Sequence, residues 1–454
     1  MHSANRNLFI VFALWCLLLL PWIFGKGIFA DGLYYGTIAS NWAFGEGSMW
    51  KFYVSESLMN PFYSHPPLSF WLEGTLFKIF GNYYWVDRFF GLCCFVLTTI
   101  AILRIWRLYY TAGQSWLPLF VLMIFPTAAW AYSNNVLENS MSVFCVWAVY
   151  MQLWAVENPG FGFLKNIISG LLIFAAALCK GPTALFPLAL PFLLLFFRQN
   201  RKWNDVIISF TALPVFLAAV FVLLQFDEAN IYLKSYYKIQ IEGSFSLDGK
   251  NGNQLMLKQI LVEILPILII SMFFTYRATK KIISNKESIL LLLIAASASL
   301  PILLSPKQMG FYLLPSLPYW ALGIAGSVHQ LEKFKIKIAL RLKLYFALTV
   351  FVSAIFLMIY NIKRPIRDAA LIEDVTNICN YLPKGNKTGL DPELDQNWQV
   401  QGYFARTKQI SFYPIGHPRY EYNVGRLNYR LIGCETVYKG KELLLCRCPA
   451  VKIQ

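Results

Sequence analysis

Charged side chains are scarce in this chain of 454 residues, because Asp, Glu, Lys and Arg make up 14% of it while 57% is hydrophobic. An average soluble domain carries roughly a quarter charged residues. The composition excludes a disordered, fibrous or ordinary soluble protein, and the apolar runs between the charges reach the length of membrane spans. We therefore attribute the formal net charge of +16 to basic residues in the loops that set the orientation of the protein in the membrane. No nucleic-acid partner is predicted.

Cysteine and histidine are few, and internal repeats and nucleotide-binding motifs are absent from the sequence. Nine cysteines are too sparse for a disulfide scaffold, and four histidines argue against a histidine-rich metal site. No phosphate-binding loop, metalloprotease histidine pair or serine-hydrolase elbow is present. An enzyme that faces the outside could not use a cytosolic nucleotide substrate in any case, so its activated donor would have to be carried by a lipid.

Apolar runs of suitable length predict about eleven transmembrane helices. We place them near residues 8–24, 86–106, 115–132, 139–156, 164–179, 182–197, 206–224, 260–276, 288–304, 311–328 and 344–361. The first run is expected to be a retained anchor. Lys and Arg are most frequent in the connections that are cytoplasmic if the N-terminus is inside. The pattern predicts a multi-pass protein of the inner (cytoplasmic) membrane with its C-terminal region outside.

Two long loops and a tail are predicted on the external face. The first loop, residues 25–85, carries two amphipathic stretches that we expect to form helices along the membrane interface. The second loop, residues 225–259, mixes charged residues with tyrosines. Short alternating runs separated by Gly and Pro predict a small α/β domain over residues 362–454. The predicted organisation is a transmembrane domain, 1–361, followed by this soluble extracytoplasmic domain.

Two acidic residues occupy positions where a carboxylate is costly unless it is hydrated, paired or used. Asp31 follows the first predicted span within a few residues, and Glu138 opens the fourth span from the outside. Both have a structural interpretation too, because Asp is a favoured helix cap and Glu is favourable at a helix N-terminus. The residues alone leave the structural and the catalytic interpretation open.

Three basic residues and a tyrosine are predicted on the same face. His65 precedes two prolines, Lys180 and Lys307 lie in very short connections, and Tyr312 begins a span that contains two more prolines. A short connection places a cation beside the bilayer, where the phosphate of a lipid head group lies. Lysines that merely extend to the interface, and a histidine that merely packs, are the alternative interpretations.

Four ordered motifs make the chain resemble the C-type (GT-C) membrane glycosyltransferases, in particular bacterial members similar to the protein mannosyltransferases and the lipid A aminoarabinose transferase. The motifs are Asp31–Ala39, Ser64–Leu72, Lys180–Pro182 and Tyr312–Pro318. Two positions depart from the family pattern. Ser64 and His65 stand where aminoarabinose transferases carry an acid and a lysine, and Glu138 stands where an aspartate is usual.

The resemblance implies a GT-C fold and the transfer of a sugar from a polyprenyl-phosphate donor to a lipid, glycan or protein acceptor. Asp31 matches the catalytic acid, and we assign it the role of base in a single inverting displacement, with Glu138 orienting the acceptor. We assign the donor phosphate to His65, Lys180, Lys307 and Tyr312. The sugar or acceptor pocket is assigned to Tyr34, Tyr35 and Tyr63. No cofactor is certain, and a divalent metal stays open.

Two other classes of function fit parts of the sequence. A secondary transporter would use the acids and lysines as an ion pathway. Such transporters usually have internal repeats and ionisable groups at the membrane midplane, whereas this sequence has no repeat and its ionisable groups cluster at one face. A non-catalytic envelope assembly subunit would need Asp31 for folding only. Consumption of a polyprenyl-phosphate sugar by the protein separates the enzyme from both.

The last four cysteines lie in the predicted external tail, where an oxidising compartment allows disulfides. Cys446 and Cys448 alternate along a predicted strand and should not bond to each other. Cys434 and Cys446 are separated by a hairpin-like interval, so this pair is our first choice for a disulfide.

The predicted topology is testable with a reporter fused to the C-terminus. A reporter that works only outside the cytoplasmic membrane, such as alkaline phosphatase, should be active, because an odd number of spans places the C-terminal region outside. Activity of a cytoplasm-specific reporter at the same position would contradict the topology.

Overall fold

The computed structural model of the protein describes residues 3–197, 203–243, 255–279, 285–305, 307–329, 340–414 and 420–449. The chain divides into two compact units. The first, called the membrane unit here, comprises Met1–Pro21, Ser64–Ser69 and Gly91–Leu357. The second, called the mixed unit, comprises Trp22–Tyr63, Phe70–Phe90 and Met358–Gln454. Residues 244–254 of the predicted second loop, and residues 198–202, 280–284 and 330–339 of the predicted cytoplasmic connections, lie outside the described residues.

Helices make up most of the described chain. In chain order they are α1 Ser3–Ile23, α2 Ala30–Ala43, α3 Leu68–Phe80, α4 Trp85–Tyr109, α5 Trp116–Ile124, α6 Pro126–Tyr132, α7 Glu138–Glu157, α8 Gly162–Lys180, α9 Leu190–Phe196, α10 Trp203–Ser209, α11 Ala212–Leu223, α12 Asp227–Tyr236, α13 Leu255–Gln259, α14 Leu265–Thr279, α15 Lys286–Ser299, α16 Leu317–Val328, α17 Leu340–Tyr360, α18 Ala369–Tyr381 and α19 Trp398–Lys408. Residues Tyr237–Glu242 and Ile260–Ile264 are π-helical.

Seven helical segments within the described ranges are long and apolar enough to cross a membrane. They are Trp85–Tyr109, Glu138–Glu157, Gly162–Lys180, Val206–Leu223, Leu255–Arg277, Lys286–Leu304 and Lys343–Tyr360. The pair Ala112–Ile124 and Pro126–Tyr132, bent by 85°, would add an eighth, and Asn7–Ile23 and Pro182–Phe196 are shorter apolar helices. The protein is therefore a helical multi-pass membrane protein, as predicted. The total of about eleven spans stays a prediction.

The mixed unit contains a five-stranded sheet in the order β2-β1-β3-β5-β4. Its strands are β1 Lys387–Leu390, β2 Ser411–Pro414, β3 Tyr422–Arg426, β4 Glu435–Lys439 and β5 Leu443–Arg447. Strand β1 runs parallel to β2 and β3, while β5 pairs antiparallel with β3 and β4. The small α/β domain predicted for the tail is confirmed. The two predicted domains, 1–361 and 362–454, remain a prediction as independent folding units.

Helix α2 of the first loop shares a hydrophobic core with the C-terminal region. Leu33 is fully buried in one cluster with Val400 and Phe404 of α19. Gly402 lets the two helices approach, because a Cβ at this position would lie 2.9 Å from Leu33 Cδ2. The predicted amphipathic stretches, 34–44 and 68–80, are helical, and the first is buried from Gly32 to Asn41. Helix α2 is thus an internal helix of the mixed unit.

A buried ion pair inside the mixed unit connects α4 to α19. The Arg406 guanidinium lies 3.3 Å from Asp87 Oδ1, and both side chains are 2% exposed. Helix α2 packs closely against this carboxylate at Gly36, where a Cβ would lie 2.5 Å from Asp87 Oδ1. Breaking a buried pair leaves an uncompensated charge, so this contact constrains all three helices.

The structure corrects the predicted disulfide, because Cys434 bonds to Cys448 and Cys446 is a free, buried thiol. The register of the antiparallel β4–β5 pair explains why Cys434 bonds to Cys448. Glu435 faces Arg447 and Thr436 faces Cys446, so Cys434 lies opposite Cys448, with Cα atoms 4.2 Å apart. Cys446 and Cys448 do not bond to each other, as predicted.

Asp374 on α18 fixes the turn between β4 and β5. This fully buried carboxylate accepts hydrogen bonds from the backbone amides of Lys441, Glu442 and Leu443, at 3.0, 2.7 and 2.9 Å, and from the Tyr438 hydroxyl at 3.1 Å. A carboxylate that satisfies three amides holds the hairpin on the helix.

The substitution Asp374→Ala should destabilise the mixed unit by about 3 kcal/mol, because it leaves one buried and three partly buried donors without the carboxylate that accepts from them. Protease resistance of the C-terminal region, measured on the full-length protein in detergent, reports the loss. The matched control is Glu373→Ala, since Glu373 is exposed and pairs only with the exposed Lys441 ammonium among the contacts described. Equal protease resistance of the two variants would contradict the anchoring role of Asp374.

Candidate functional site

The centre of the candidate site is a buried ion pair between the ends of two neighbouring helices. Glu138 is the first residue of α7 and Lys180 is the last residue of α8. Lys180 Nζ lies 3.0 Å from Glu138 Oε1, and the side chains are 10% and 1% exposed. A carboxylate at a helix N-terminus and an ammonium at a helix C-terminus each complement the helix dipole. Three electrostatic interactions therefore stabilise the pair: the attraction between the two charges, and the interaction of each charge with the dipole of its own helix.

The backbone after Lys180 is shaped by glycine. Helix α8 ends here, as the predicted break at Lys180–Pro182 requires, and Gly181 has φ = +91°. This left-handed region favours glycine. The Tyr236 hydroxyl occupies the space that a Cβ of residue 181 would take, and it donates a hydrogen bond to the Lys180 carbonyl oxygen at 3.4 Å. Lys180 Nζ also lies 5.0 Å from the centre of the Tyr312 ring, a cation–π distance.

The segment that carries His65 belongs to the same unit. The Tyr232 hydroxyl donates to the His65 carbonyl oxygen at 2.7 Å. The Ser69 and Ser140 hydroxyls, 2.6 Å apart, tie the segment to α7. Burial, and secondarily the charges of Lys180 and Lys307, hold the pKa of the His65 imidazole well below its usual range. At pH 7 the neutral imidazole therefore predominates, so an anion beside it would receive a hydrogen bond and not a positive charge.

Lys307 is the exposed cation of this group. Its ammonium lies 3.5 Å from the Gln240 side-chain oxygen. The neighbouring Gln308 side chain fixes the connection by donating to the carbonyls of Leu303 and Ser305, at 2.9 and 3.1 Å. Gln308 also accepts from the Met256 amide at 3.2 Å. The backbone beside Lys307 is thus held while its side chain faces solvent.

The structure brings together the residues predicted to bind the donor phosphate. His65, Lys180 and Lys307 are close enough for both lysines to shift the His65 pKa, and Tyr312 lies against Lys180. Two ammonium groups, one neutral imidazole and one phenol are suitable ligands for a phosphate in a region of low dielectric. Glu138 compensates one of the two positive charges. The sequence interpretation did not include the Tyr232 and Tyr236 contacts, although the four-residue spacing of these tyrosines is a helical signal.

The other predicted site residues belong to the mixed unit. Asp31 is partly exposed in the first turn of α2, where Phe29 and not Asp31 is the N-cap residue. Tyr34 is buried and its hydroxyl donates to the Trp398 carbonyl at 2.8 Å. Tyr35 is buried against Phe70, with ring centres 5.9 Å apart. Tyr63 is partly exposed. Tyr34 and Tyr35 thus have packing roles, and their assignment to a sugar pocket stays a prediction.

Within the described ranges, no three His, Cys, Asp or Glu side chains are gathered in a way that could hold a metal ion.

Comparison with known proteins bears on the family and the fold of the chain. Residues 64–225 match the sequence profile of the dolichyl-phosphate-mannose-protein mannosyltransferase family, a range that includes His65, Glu138 and Lys180. No curated protein sequence matches the chain. ArnT from Cupriavidus metallidurans in the apo state has a similar structure, with a TM-score of 0.65 and 12% identity over 97% of both chains. The structure of the same protein bound to undecaprenyl phosphate has a TM-score of 0.64 and 12% sequence identity over 98% of both chains.

An archaeal oligosaccharyltransferase, AglB from Archaeoglobus fulgidus in complex with an inhibitory peptide and a dolichol-phosphate, is a third similar structure. Its TM-score is 0.51 at 13% identity, over 92% of this chain and 69% of AglB. The chain has the GT-C glycosyltransferase fold. The predicted resemblance is confirmed, and the family match together with the fold supports a glycosyltransferase. The roles given to single residues stay predictions.

The buried ion pair yields a stability prediction. Glu138→Gln should destabilise the protein by about 3–5 kcal/mol, because it leaves the Lys180 ammonium buried without its counter-charge. Lys180→Gln should cost a similar amount for the converse reason. The double variant Glu138→Gln/Lys180→Gln should be clearly more stable than the sum of the single losses predicts. Thermal unfolding in detergent measures the three values, and strictly additive losses would contradict the pairing.

Proposed function

We propose that this protein transfers a sugar from a polyprenyl-phosphate donor to an acceptor on the external face of the membrane. The observation that carries the proposal is the group formed by Lys180, Lys307, His65 and Tyr312 in the membrane unit. Its ligands suit a phosphate, and a similar fold holds undecaprenyl phosphate in ArnT and a dolichol-phosphate in AglB. The acceptor is a lipid, a glycan or a protein.

The lysines stabilise the donor phosphate as it becomes the leaving group. When the bond between the anomeric carbon and the phosphate oxygen breaks, that oxygen gains negative charge, and nearby ammonium groups stabilise it most at that moment. Lys180 is held in place by Glu138 and Tyr312. The exposed Lys307 side chain, whose ammonium contacts the Gln240 side-chain oxygen at 3.5 Å, is less constrained and adjusts to the phosphate. The polyprenyl phosphate then stays in the membrane as the product.

Asp31 is proposed as the base. In a single inverting displacement the acceptor oxygen forms the bond to the anomeric carbon, its proton passes to the Asp31 carboxylate, and the phosphate leaves with the electron pair of the broken bond. Asp31 is suited to this role because its carboxylate is partly exposed in the first turn of a helix, where a negative charge complements the helix dipole. Glu138, engaged with Lys180, orients the donor phosphate through that lysine in addition to its proposed role towards the acceptor.

Lys307 offers the cleaner test of phosphate binding, because its exposed side chain can be neutralised without leaving a buried charge. Lys307→Gln should raise the KM for a short-chain polyprenyl-phosphate sugar several-fold, whereas Lys307→Arg should be partly tolerated, since Lys binds phosphate as a point charge. The matched control is Lys286→Gln, an exposed lysine at the start of α15. Equal KM values for Lys307→Gln and the control would show that Lys307 has no part in donor binding.

Asp31→Asn keeps the side-chain volume and removes the base, so turnover should fall by roughly 10²–10⁴-fold while donor binding is retained. The control is Glu287→Gln, which removes another first-turn acid, from α15. Mass spectrometry should find no sugar attached to the wild-type protein during turnover, as a single displacement requires. Near-normal transfer by Asp31→Asn would refute this mechanism, and failure of the variant to accumulate in the membrane would indicate a structural role instead.

A further inference from the structure

One face of the helix that begins the second predicted loop is buried although the helix is otherwise well exposed. Tyr232 and Tyr236 on α12 are 1% and 8% exposed, whereas the neighbouring Ile231 and Tyr237 are 61% and 54% exposed. Gln240 continues the same four-residue spacing into the π-helical turn Tyr237–Glu242. Residues at this spacing form a stripe along one face of a helix. We call Tyr232, Tyr236 and Gln240 the α12 stripe.

Each member of the α12 stripe contacts a different segment of the membrane unit. The Tyr232 hydroxyl donates to the His65 carbonyl at 2.7 Å, and the Tyr236 hydroxyl donates to the Lys180 carbonyl at 3.4 Å. The Gln240 side-chain oxygen accepts from Lys307 Nζ at 3.5 Å. These three segments are far apart in sequence, yet they carry the three basic residues assigned to the donor phosphate.

The type of contact indicates positioning rather than direct binding. Two of the three bonds go to backbone carbonyls, so they fix the chain on which His65 and Lys180 are carried without using either side chain. The third goes to the ammonium of Lys307 and limits the positions that this exposed side chain adopts. The π-helical turn that carries Gln240 adds a second observation, because such turns are rare and occur frequently at functional sites.

We propose that the α12 stripe sets the spacing of the three segments that carry His65, Lys180 and Lys307, and that Tyr232, Tyr236 and Gln240 are positioning residues for the donor phosphate. The proposal rests on the proposed function, since it presumes that these basic residues bind a lipid phosphate. It assigns the second predicted loop a defined part in donor recognition. If the three segments move apart, the affinity for the donor phosphate falls, although the residues that take part in the reaction remain present.

The test measures the KM for a short-chain polyprenyl-phosphate sugar, kcat, and direct binding of a short-chain polyprenyl phosphate. Tyr232→Phe removes one hydroxyl and should raise the donor KM and the Kd of the polyprenyl phosphate by about three- to tenfold, with kcat changed by less than about twofold. Tyr236→Phe should have a smaller effect because its hydrogen bond is longer, and Gln240→Ala the smallest. The matched control is Tyr237→Phe, which removes the hydroxyl of the exposed tyrosine that directly follows α12 and should change neither value.

A second measurement separates positioning from a general loss of stability. If Gln240 acts through Lys307, Gln240→Ala should raise the donor KM in the wild-type background and leave it unchanged in the Lys307→Gln background. A change of equal size in both backgrounds would overturn the proposal for Gln240. Thermal unfolding of every variant in detergent shows whether it is folded.

The outcomes distinguish this inference from the proposed function. If the wild-type protein binds polyprenyl phosphate and Tyr232→Phe binds it with the same Kd, the positioning role is refuted while the proposed function stands. A fall in kcat at unchanged donor KM also refutes it. If the wild-type protein neither binds polyprenyl phosphate nor consumes the sugar donor, the proposed function fails and the inference fails with it.

Discussion

The buried contact between Glu138 and Lys180 is the constraint to which the rest of the candidate site is fitted. Removing two opposite charges from water costs several kcal/mol per ion, and only close, well-supported geometry compensates for it. That geometry requires α7 to begin and α8 to end at the same level, and it requires a left-handed residue at Gly181. The lysine is consequently held at a fixed place instead of extending freely along the lipid surface. A fixed ammonium is what a phosphate site needs, because little reorganisation then remains for the reaction itself.

The two lysines of the candidate site differ in how they are held, and the proposed function gives them different parts in binding the phosphate. Lys180 is nearly buried and its charge is compensated, whereas Lys307 is exposed on a connection whose backbone is fixed by Gln308. His65 lies within the field of both and is kept neutral by burial and by their charges, which hold its pKa well below the usual range. A site with one fixed cation, one adjustable cation and one neutral donor can accept a phosphate without storing a large excess of buried positive charge.

Much of this architecture could be predicted from local sequence, because long apolar runs, the break at Lys180–Pro182 and cations in short connections are signals that act within a few residues. Features that depend on contacts between distant segments could not be predicted in this way. The partner of Cys434 follows from the β4–β5 register, which a sequence without a defined turn does not fix. The burial of α2 depends on residues some 370 positions later, such as Phe404. The sequence shows the α12 stripe only as regularly spaced tyrosines in a polar loop. The positioning role proposed for it depends on hydrogen bonds to carbonyl groups of other segments, which only the structure reveals.

The motif Asp31–Ala39 contains residues with packing roles and also Asp31, the residue proposed as the base. Leu33 fills the core of the mixed unit, Tyr34 bonds to the Trp398 carbonyl, and Gly36 gives room to the buried Asp87 carboxylate. Packing therefore accounts for these three positions without any reference to catalysis, and their match to a family pattern is evidence for a fold. Asp31 differs, because it is partly exposed in the first turn of the same helix. A rigid, buried helix that carries one accessible carboxylate at its N-terminus is a precise support for a base, and this is why the packing residues strengthen the proposal for Asp31 rather than compete with it.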